Sequence, residues 1–175
     1  MGVGRNRWSR GQLGSLALLL IAALLILRPW EGDDGRDEGP ASAAAFVVRA
    51  VDGDTIEVRT GGRLEDVRYI GVDTPETVKP DTPVQCFGPR ASSFNHGLVE
   101  RRRVRLVFGV ERRDVYGRLL AYVYLGHRFV NAMLVRRGLA RSLTIPPNDR
   151  FAPLFRGLEL HAARAGRGLW GACPP

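Results

Sequence analysis

Apolar and polar positions divide the chain into three stretches of different character. Leu13–Leu27 holds nothing more polar than Ser15 and follows Arg5, Arg7 and Arg10. A basic segment leading into an apolar run predicts a secretory signal or a signal anchor. As a helix the run reaches only ~22 Å of a ~30 Å hydrocarbon core. Trp8 and Trp30 bracket it where interfacial rings sit, and Arg10 and Arg28 can snorkel outward. The nearest small-x-small cleavage pattern, Ala41-Ser42-Ala43, lies well beyond Leu27, which favours an uncleaved anchor over a cleaved signal. The arginines before the run keep the N-terminus cytoplasmic and send the remainder across the membrane.

Residues 31–45 are acidic and rich in Gly and Ala, the composition of a flexible tether. From Phe46 the pattern changes to short β-rich runs. Phe46–Val51 and Thr55–Arg59 flank Asp52-Gly53-Asp54, a strong hairpin signal. Leu64–Val72 reads as a third strand, with Val67 and Tyr69 alternating against Arg68, and Asp73-Thr74-Pro75-Glu76 ends it. Residues 77–89 carry three prolines and read as a loop. Ala91–Arg102 has helical spacing through Phe94 and Leu98. Val104–Phe108 and Leu119–Leu125 are the fourth and fifth strands. Asn131–Leu139 is a helix ending near Gly138, and Asp149–Ala165 another, with Leu154, Leu158 and His161 on one face. This order predicts an α+β body at 46–172: a five-stranded OB-type β-barrel with three packed helices. An N-terminal segment (1–30, transmembrane or signal helix) and the linker (31–45) precede it, and a tail (173–175) follows.

Composition then locates the charge. The 175 residues carry a net charge of +8, and residues 46–175, with 21 Arg and Lys against 13 Asp and Glu, hold all of it. Of the 26 bases 25 are Arg, the side chain that forks bidentately onto phosphate. A GC-rich genome would produce the same bias. The surplus points to a polyanionic partner without specifying chemistry. Two cysteines exclude a disulfide-dense scaffold or an all-cysteine zinc site. His96, His127 and His161 have no metal-ligand spacing.

Chemistry concentrates in three clusters: Asp52-Gly53-Asp54-Thr55, Arg68 to Glu76, and Asp114-Val115-Tyr116-Gly117-Arg118. Asp54 at a hairpin exit and Asp73 at a strand end can be brought together by neighbouring strands. Two such carboxylates repel unless one protonates or a cation lies between them. Carboxylates, a backbone carbonyl and water are what Ca²⁺ accepts. Glu76 is spaced to hold or deprotonate a water. Arg68 and Arg118 complete a site for a phosphodiester whose charge builds up during in-line displacement. Taken singly, each piece has a plainer reading. Asp-Gly is a turn, and Thr74-Pro75-Glu76 is a helix start, with an N-cap, Pro at N1 and an acid in the first turn. The run Arg101-Arg102-Arg103-x-Arg105 is either a nucleic-acid track or a solvated helix end.

Together, Val51–Thr55, Val67–Thr77, Asp114–Arg118 and Val130-Asn131-x-x-Leu134-Val135-x-x-Gly138-Leu139-Ala140 strongly resemble the staphylococcal nuclease family, in one order from about Phe46 to Trp170. The resemblance implies an OB-fold enzyme hydrolysing DNA and RNA with Ca²⁺ to 3′-phosphate products. It assigns Asp54, Asp73 and the Thr74 carbonyl to the metal, Glu76 to the general base, and Arg68 and Arg118 to the phosphate. Tyr116 and Asp114 fall to substrate binding. The phosphate-contacting lysine expected before Tyr116 is Val115, and the tyrosines expected to flank the base have no counterpart in residues 142–147. Stacking is worth ~1–3 kcal/mol per base, so these departures bear on substrate preference more than on the reaction class. A non-catalytic nucleic-acid-binding OB module is the alternative, and a structural envelope protein leaves the coincidence of acids and arginines unexplained. No protein partner is implied. Cys86 and Cys173 lie outside the matched motifs. In a translocated domain they either pair, closing a loop worth up to ~4.5 kcal/mol, or stand as separate buried thiols.

Overall fold

The computed structural model describes residues 1–2, 41–78 and 81–173. The expected anchor at 13–27 and the linker up to residue 40 lie outside these. No described helix is long and apolar enough to cross a membrane. The chain divides into Met1–Glu38 and Gly39–Pro175, and the architecture below is that of the second unit.

Five strands close on themselves: β1 (Ser42–Ala50), β2 (Thr55–Thr60), β3 (Arg63–Tyr69), β5 (Arg103–Arg113) and β6 (Leu119–Leu125). The antiparallel order is β3-β2-β1-β5-β6, and β3 returns parallel to β6 with Val67 opposite Leu119 and Tyr69 opposite Ala121. Closure removes the open edges that a sheet this small would otherwise expose. β1 starts at Ser42, so residues 42–45, expected in the linker, are strand: Ser42 pairs with Val107 and Ala45 with Val104. Small Ala side chains gave that stretch a tether's composition, but cross-strand pairing decides its conformation. Val47, Ile56, Val58, Val67, Leu106 and Val123 are fully buried inside the barrel.

Three helices cover it: α1 (Gly88–Val99), α2 (Val130–Arg136) and α3 (Ala152–Arg164), with a short α4 (Leu169–Ala172) that the pattern missed. Two-residue strands β4 (Val72–Asp73) and β8 (Arg141–Ser142) pair beside them, and β7 (Arg128–Phe129) turns back to pair antiparallel with β6. The inward face of α3 differs from expectation. Phe155 and Ala162 are buried and Leu158 packs on the core, whereas Leu154 is 44% exposed and His161 lies outward. Phe151 and Phe155 settle the helix rotation because they join the ring cluster with Tyr122 and Phe129.

The expected third strand is broken at one point that matters. At Gly71 the chain takes φ +81°, and an added Cβ would lie 2.3 Å from the Phe155 ring. Only glycine tolerates both the left-handed backbone and that approach. Where β3 parts from β6, buried Asn131 fills the gap: its Nδ2–H donates to the Ile70 carbonyl (2.8 Å) and its Oδ1 accepts the Val123 N–H (2.9 Å). The turn carries Val72 and Asp73 out of the barrel wall to pair with Ser142 and Arg141.

Candidate active site

The β1–β2 hairpin is organised by carboxylate-to-backbone bonds. Asp52 Oδ1 accepts the Asp54 N–H (2.9 Å), and the Val51 and Asp52 N–H groups both reach the Thr55 carbonyl (2.9 and 3.3 Å). From α1, Asn95 fixes the hairpin to the barrel by donating to the Asp52 carbonyl (2.9 Å) and accepting from the Tyr69 hydroxyl (2.9 Å). Burial pushes the Tyr69 phenol far up, so it stays a donor. Burial also raises the Asp52 carboxyl, with Arg68 opposing.

Asp54 emerges from this hairpin with 1% of its surface exposed. Its Oδ2 accepts the Thr74 N–H (2.7 Å) and hydroxyl (2.8 Å), and its Oδ1 pairs with Arg68 Nη1. Arg68 stands opposite Thr55 in the β2–β3 register, and its Nη2 donates to Asp73 Oδ1 at 2.9 Å. One guanidinium is thus shared by Asp54 and Asp73, the two carboxylates expected to converge. Thr74 does not start a helix: the chain stays irregular here and α1 begins at Gly88. Its hydroxyl goes to Asp54 instead of to a helix N-terminus. The pull of a buried carboxylate outweighs a cap at an exposed end.

Glu76 is held by its own loop. Its Oε1 accepts the N–H groups of Thr77 (2.8 Å) and Val78 (2.9 Å), its N–H donates to Gln85 Oε1 (2.9 Å), and its carbonyl accepts the Gln85 N–H (2.9 Å). Gln85 was missed, since a lone Gln in a proline-rich loop carries no pattern. Next to it, Cys86 is bonded to Cys173, with Cα atoms 5.8 Å apart. The pairing, one of the two alternatives open for these cysteines, ties the C-terminal end of the domain to the loop beside the site.

Across the cleft, Asp114 shapes the turn into β6. Its Oδ1 accepts the N–H groups of Tyr116 (3.0 Å) and Arg118 (2.9 Å), and its Oδ2 accepts Arg118 Nε and Nη2 at 2.7 Å each. Asp114, expected at the substrate, is folded into its own turn and clamps Arg118. The exposed Tyr116 ring lies under the Arg118 guanidinium at 5.4 Å. Asp54, Arg68, Asp73, Thr74, Glu76, Tyr116 and Arg118 line one cleft of about 560 Å³.

Among the described residues no three His, Cys, Asp or Glu side chains form a metal cluster. The available donors are the Asp54 and Asp73 carboxylates and the Thr74 carbonyl, all hard oxygens, with water to complete the shell. Both carboxylates close on one positive group, the Arg68 guanidinium. The set fits Ca²⁺.

A family model described as staphylococcal nuclease homologue matches residues 66–172. The chain belongs to the staphylococcal nuclease family. Within it, the chain is 41% identical over 160 residues to a thermonuclease of Staphylococcus intermedius, covering 90% of this chain and 95% of that protein. It is 42% identical over 162 residues to a thermonuclease of Staphylococcus hyicus, covering 87% and 94%. Endonuclease YncB of Bacillus subtilis (strain 168) is 44% identical over 124 residues, 70% of this chain and 59% of that one. Of the seven cleft residues named above, the family match contains all but Asp54, which the preceding hairpin supplies.

Proposed function

We propose that this protein is a Ca²⁺-dependent phosphodiesterase that hydrolyses DNA and RNA to 3′-phosphate products. The observation that carries the reading is the convergence, in one cleft, of two carboxylates, a loop-held glutamate and two arginines drawn from four separate segments. The names of the thermonuclease and endonuclease relatives support it.

The residues divide the work by position. Arg118 is gripped by Asp114 on its Nε and Nη2 edge, and Nη1 has no partner among the described residues. That preset edge meets the charge growing on a phosphoryl oxygen, and removing such a donor costs ~2.7–4 kcal/mol of barrier. Asp54, Asp73 and the Thr74 carbonyl would hold the metal, and Arg68, which pairs with both carboxylates, is placed to donate to a second phosphoryl oxygen. Bound calcium would supply charge neutralisation at the scissile phosphate. Glu76, oriented by two backbone N–H groups and Gln85, takes the proton of the attacking water. The new P–O bond forms as the bond to the 5′-oxygen breaks, and that oxygen takes up a proton and leaves as a hydroxyl. The Tyr116 ring offers an exposed face to the nucleotide.

We further propose that Leu13–Leu27 holds the protein in the membrane with the enzyme on the far side, or directs its secretion. The basic flank and apolar run support this. An epitope inserted at 31–40 should be reachable from outside intact cells, and protection would reverse the orientation. For the chemistry, end-group analysis of an oligonucleotide digested by the full chain in Ca²⁺ should give 3′-phosphate and 5′-hydroxyl termini. Products carrying 5′-phosphates would overturn the assigned direction of attack.

A further inference from the structure

Away from the cleft, α1, the end of α2 and the turn before α4 enclose a groove of about 730 Å³. Arg90, Arg136, Arg137 and Arg167 line it together with Phe87 and Phe94. No acidic side chain lines it. None of the four arginines makes an ion pair among the described residues, where the other close pairs engage Arg49, Arg68, Arg113, Arg118 and His96. Four exposed cations gathered in one concavity repel one another, and an anion inside it would relieve the repulsion.

The arrangement also has order. The Arg90 guanidinium lies over the Phe87 ring at 5.6 Å and that of Arg137 over Phe94 at 4.8 Å. Cation–π contact holds these planes in the groove and leaves their N–H edges to fork onto phosphate. Guanidinium planes and phenyl rings are also surfaces on which unpaired bases stack.

The groove and the cleft are linked through neighbouring residues. A small cavity is lined by Asp73, Thr74 and Pro75 together with Cys86, Leu169 and Cys173. The first three also line the cleft, while Cys86 and Leu169 adjoin Phe87 and Gly168 of the groove. The disulfide thus lines a cavity that shares three residues with the cleft and stands next in the chain to the groove.

We propose that this groove binds the phosphodiester chain of a single-stranded substrate beyond the scissile position, an inference that rests on the phosphodiesterase reading. A strand cleaved in the cleft and extending over the disulfide enters a concave, acid-free channel of arginines. A bilayer surface, the other polyanion of that charge, is flat and does not follow a groove.

The test uses the full chain with Arg90→Glu, Arg136→Glu and Arg167→Glu combined, folding checked by circular dichroism. Binding of fluorescein-labelled oligothymidylate is read by anisotropy in excess chelator. The variant should bind on the order of tenfold to a hundredfold more weakly, and its log–log salt slope should be shallower by about 2, since each single-strand phosphate contact contributes ~0.7. In Ca²⁺, kcat/KM on a strand of about 20 nucleotides should fall relative to that on a dinucleotide, since site sizes run to ~16 nucleotides. If the triple variant does not fold, Arg136→Glu alone, at an exposed side chain, should still reduce the slope by about 0.7. Unchanged affinity and slope would overturn the proposal. So would unchanged oligonucleotide binding with lost binding to phosphatidylglycerol vesicles. Wild type that binds strands through the groove but never cleaves them would instead sink the phosphodiesterase reading.

Discussion

Gly53 is where the hairpin meets the loop that carries the metal-side residues, and Gly53→Ala is the most discriminating single perturbation of that junction. An alanine Cβ there would lie 2.6 Å from Thr74 Oγ1 and 2.7 Å from both Thr74 Cβ and Cγ2. Carbon atoms rest at ~3.5–4.0 Å, so the two segments must part by about 1 Å. Thr74 has little freedom to turn aside, because its N–H and hydroxyl both donate to Asp54 Oδ2. The Gly53 backbone lies outside the left-handed region, so the contact alone carries the effect. Overpacking costs ~1–3 kcal/mol, and weakening a hydrogen bond to a buried carboxylate adds ~1.5–3 kcal/mol. The expected loss of unfolding free energy is therefore about 2.5–6 kcal/mol. Displacing Thr74 and Asp73 from Asp54 by ~1 Å should also cut turnover about a hundredfold. Urea unfolding followed by circular dichroism gives the first quantity, and turnover under conditions where the variant is fully folded gives the second. A Gly53→Ala protein with wild-type stability and turnover would show that the Asp54–Thr74 junction does not set the geometry of the site.

Other outcomes follow from single contacts. Arg118→Ala should lower kcat by ~10²–10³ while leaving the urea midpoint near wild type; unchanged turnover would remove Arg118 from the site. Reducing the Cys86–Cys173 bridge, which spans 87 residues, should lower the unfolding free energy by up to about 4.6 kcal/mol in the chain-entropy limit, read as a lower urea midpoint. An equal midpoint with and without dithiothreitol would mean that the bridge constrains nothing. Arg113 holds Glu65 with two hydrogen bonds of 2.9 Å and keeps its carboxyl below the usual glutamate value, burial opposing. A carboxyl lowered in the folded state stabilises above its unfolded value and loses that contribution as pH falls through the folded one. The stability difference between wild type and Arg113→Gln should therefore be present at pH 7 and shrink below pH 4.5, the ordinary glutamate value. A pH-independent difference would remove the ion pair as its cause.

The barrel was legible because its strands are short runs bounded by unmistakable turns, and the Asp52-Gly53-Asp54 hairpin stands where the pattern put it. Its closure, β3 on β6, was not legible, since parallel pairing across fifty residues leaves no local mark. The apolar alternation of Leu64–Val72 hid the break at Gly71, which depends on Phe155 from the far end of the chain and on the two bonds of Asn131. The site residues were readable as types and spacings, yet their partners were not. That Thr74 would bond Asp54 rather than cap a helix, and that Asp114 would hold Arg118, are tertiary choices made by burial. Gln85 and the arginine groove escaped notice for the same reason: their members are distant in sequence and share no motif.

If Asp54 and Asp73 make a calcium-dependent phosphodiester site with Arg68 and Arg118, cleavage of single-stranded DNA by the full chain must depend on Ca²⁺, and comparing digestion in Ca²⁺ with digestion in excess chelator tests this. The account predicts cleavage in Ca²⁺, its abolition by the chelator and its recovery when Ca²⁺ is restored. Cleavage that persists undiminished in chelator, or folded protein that never cleaves in Ca²⁺, would contradict it.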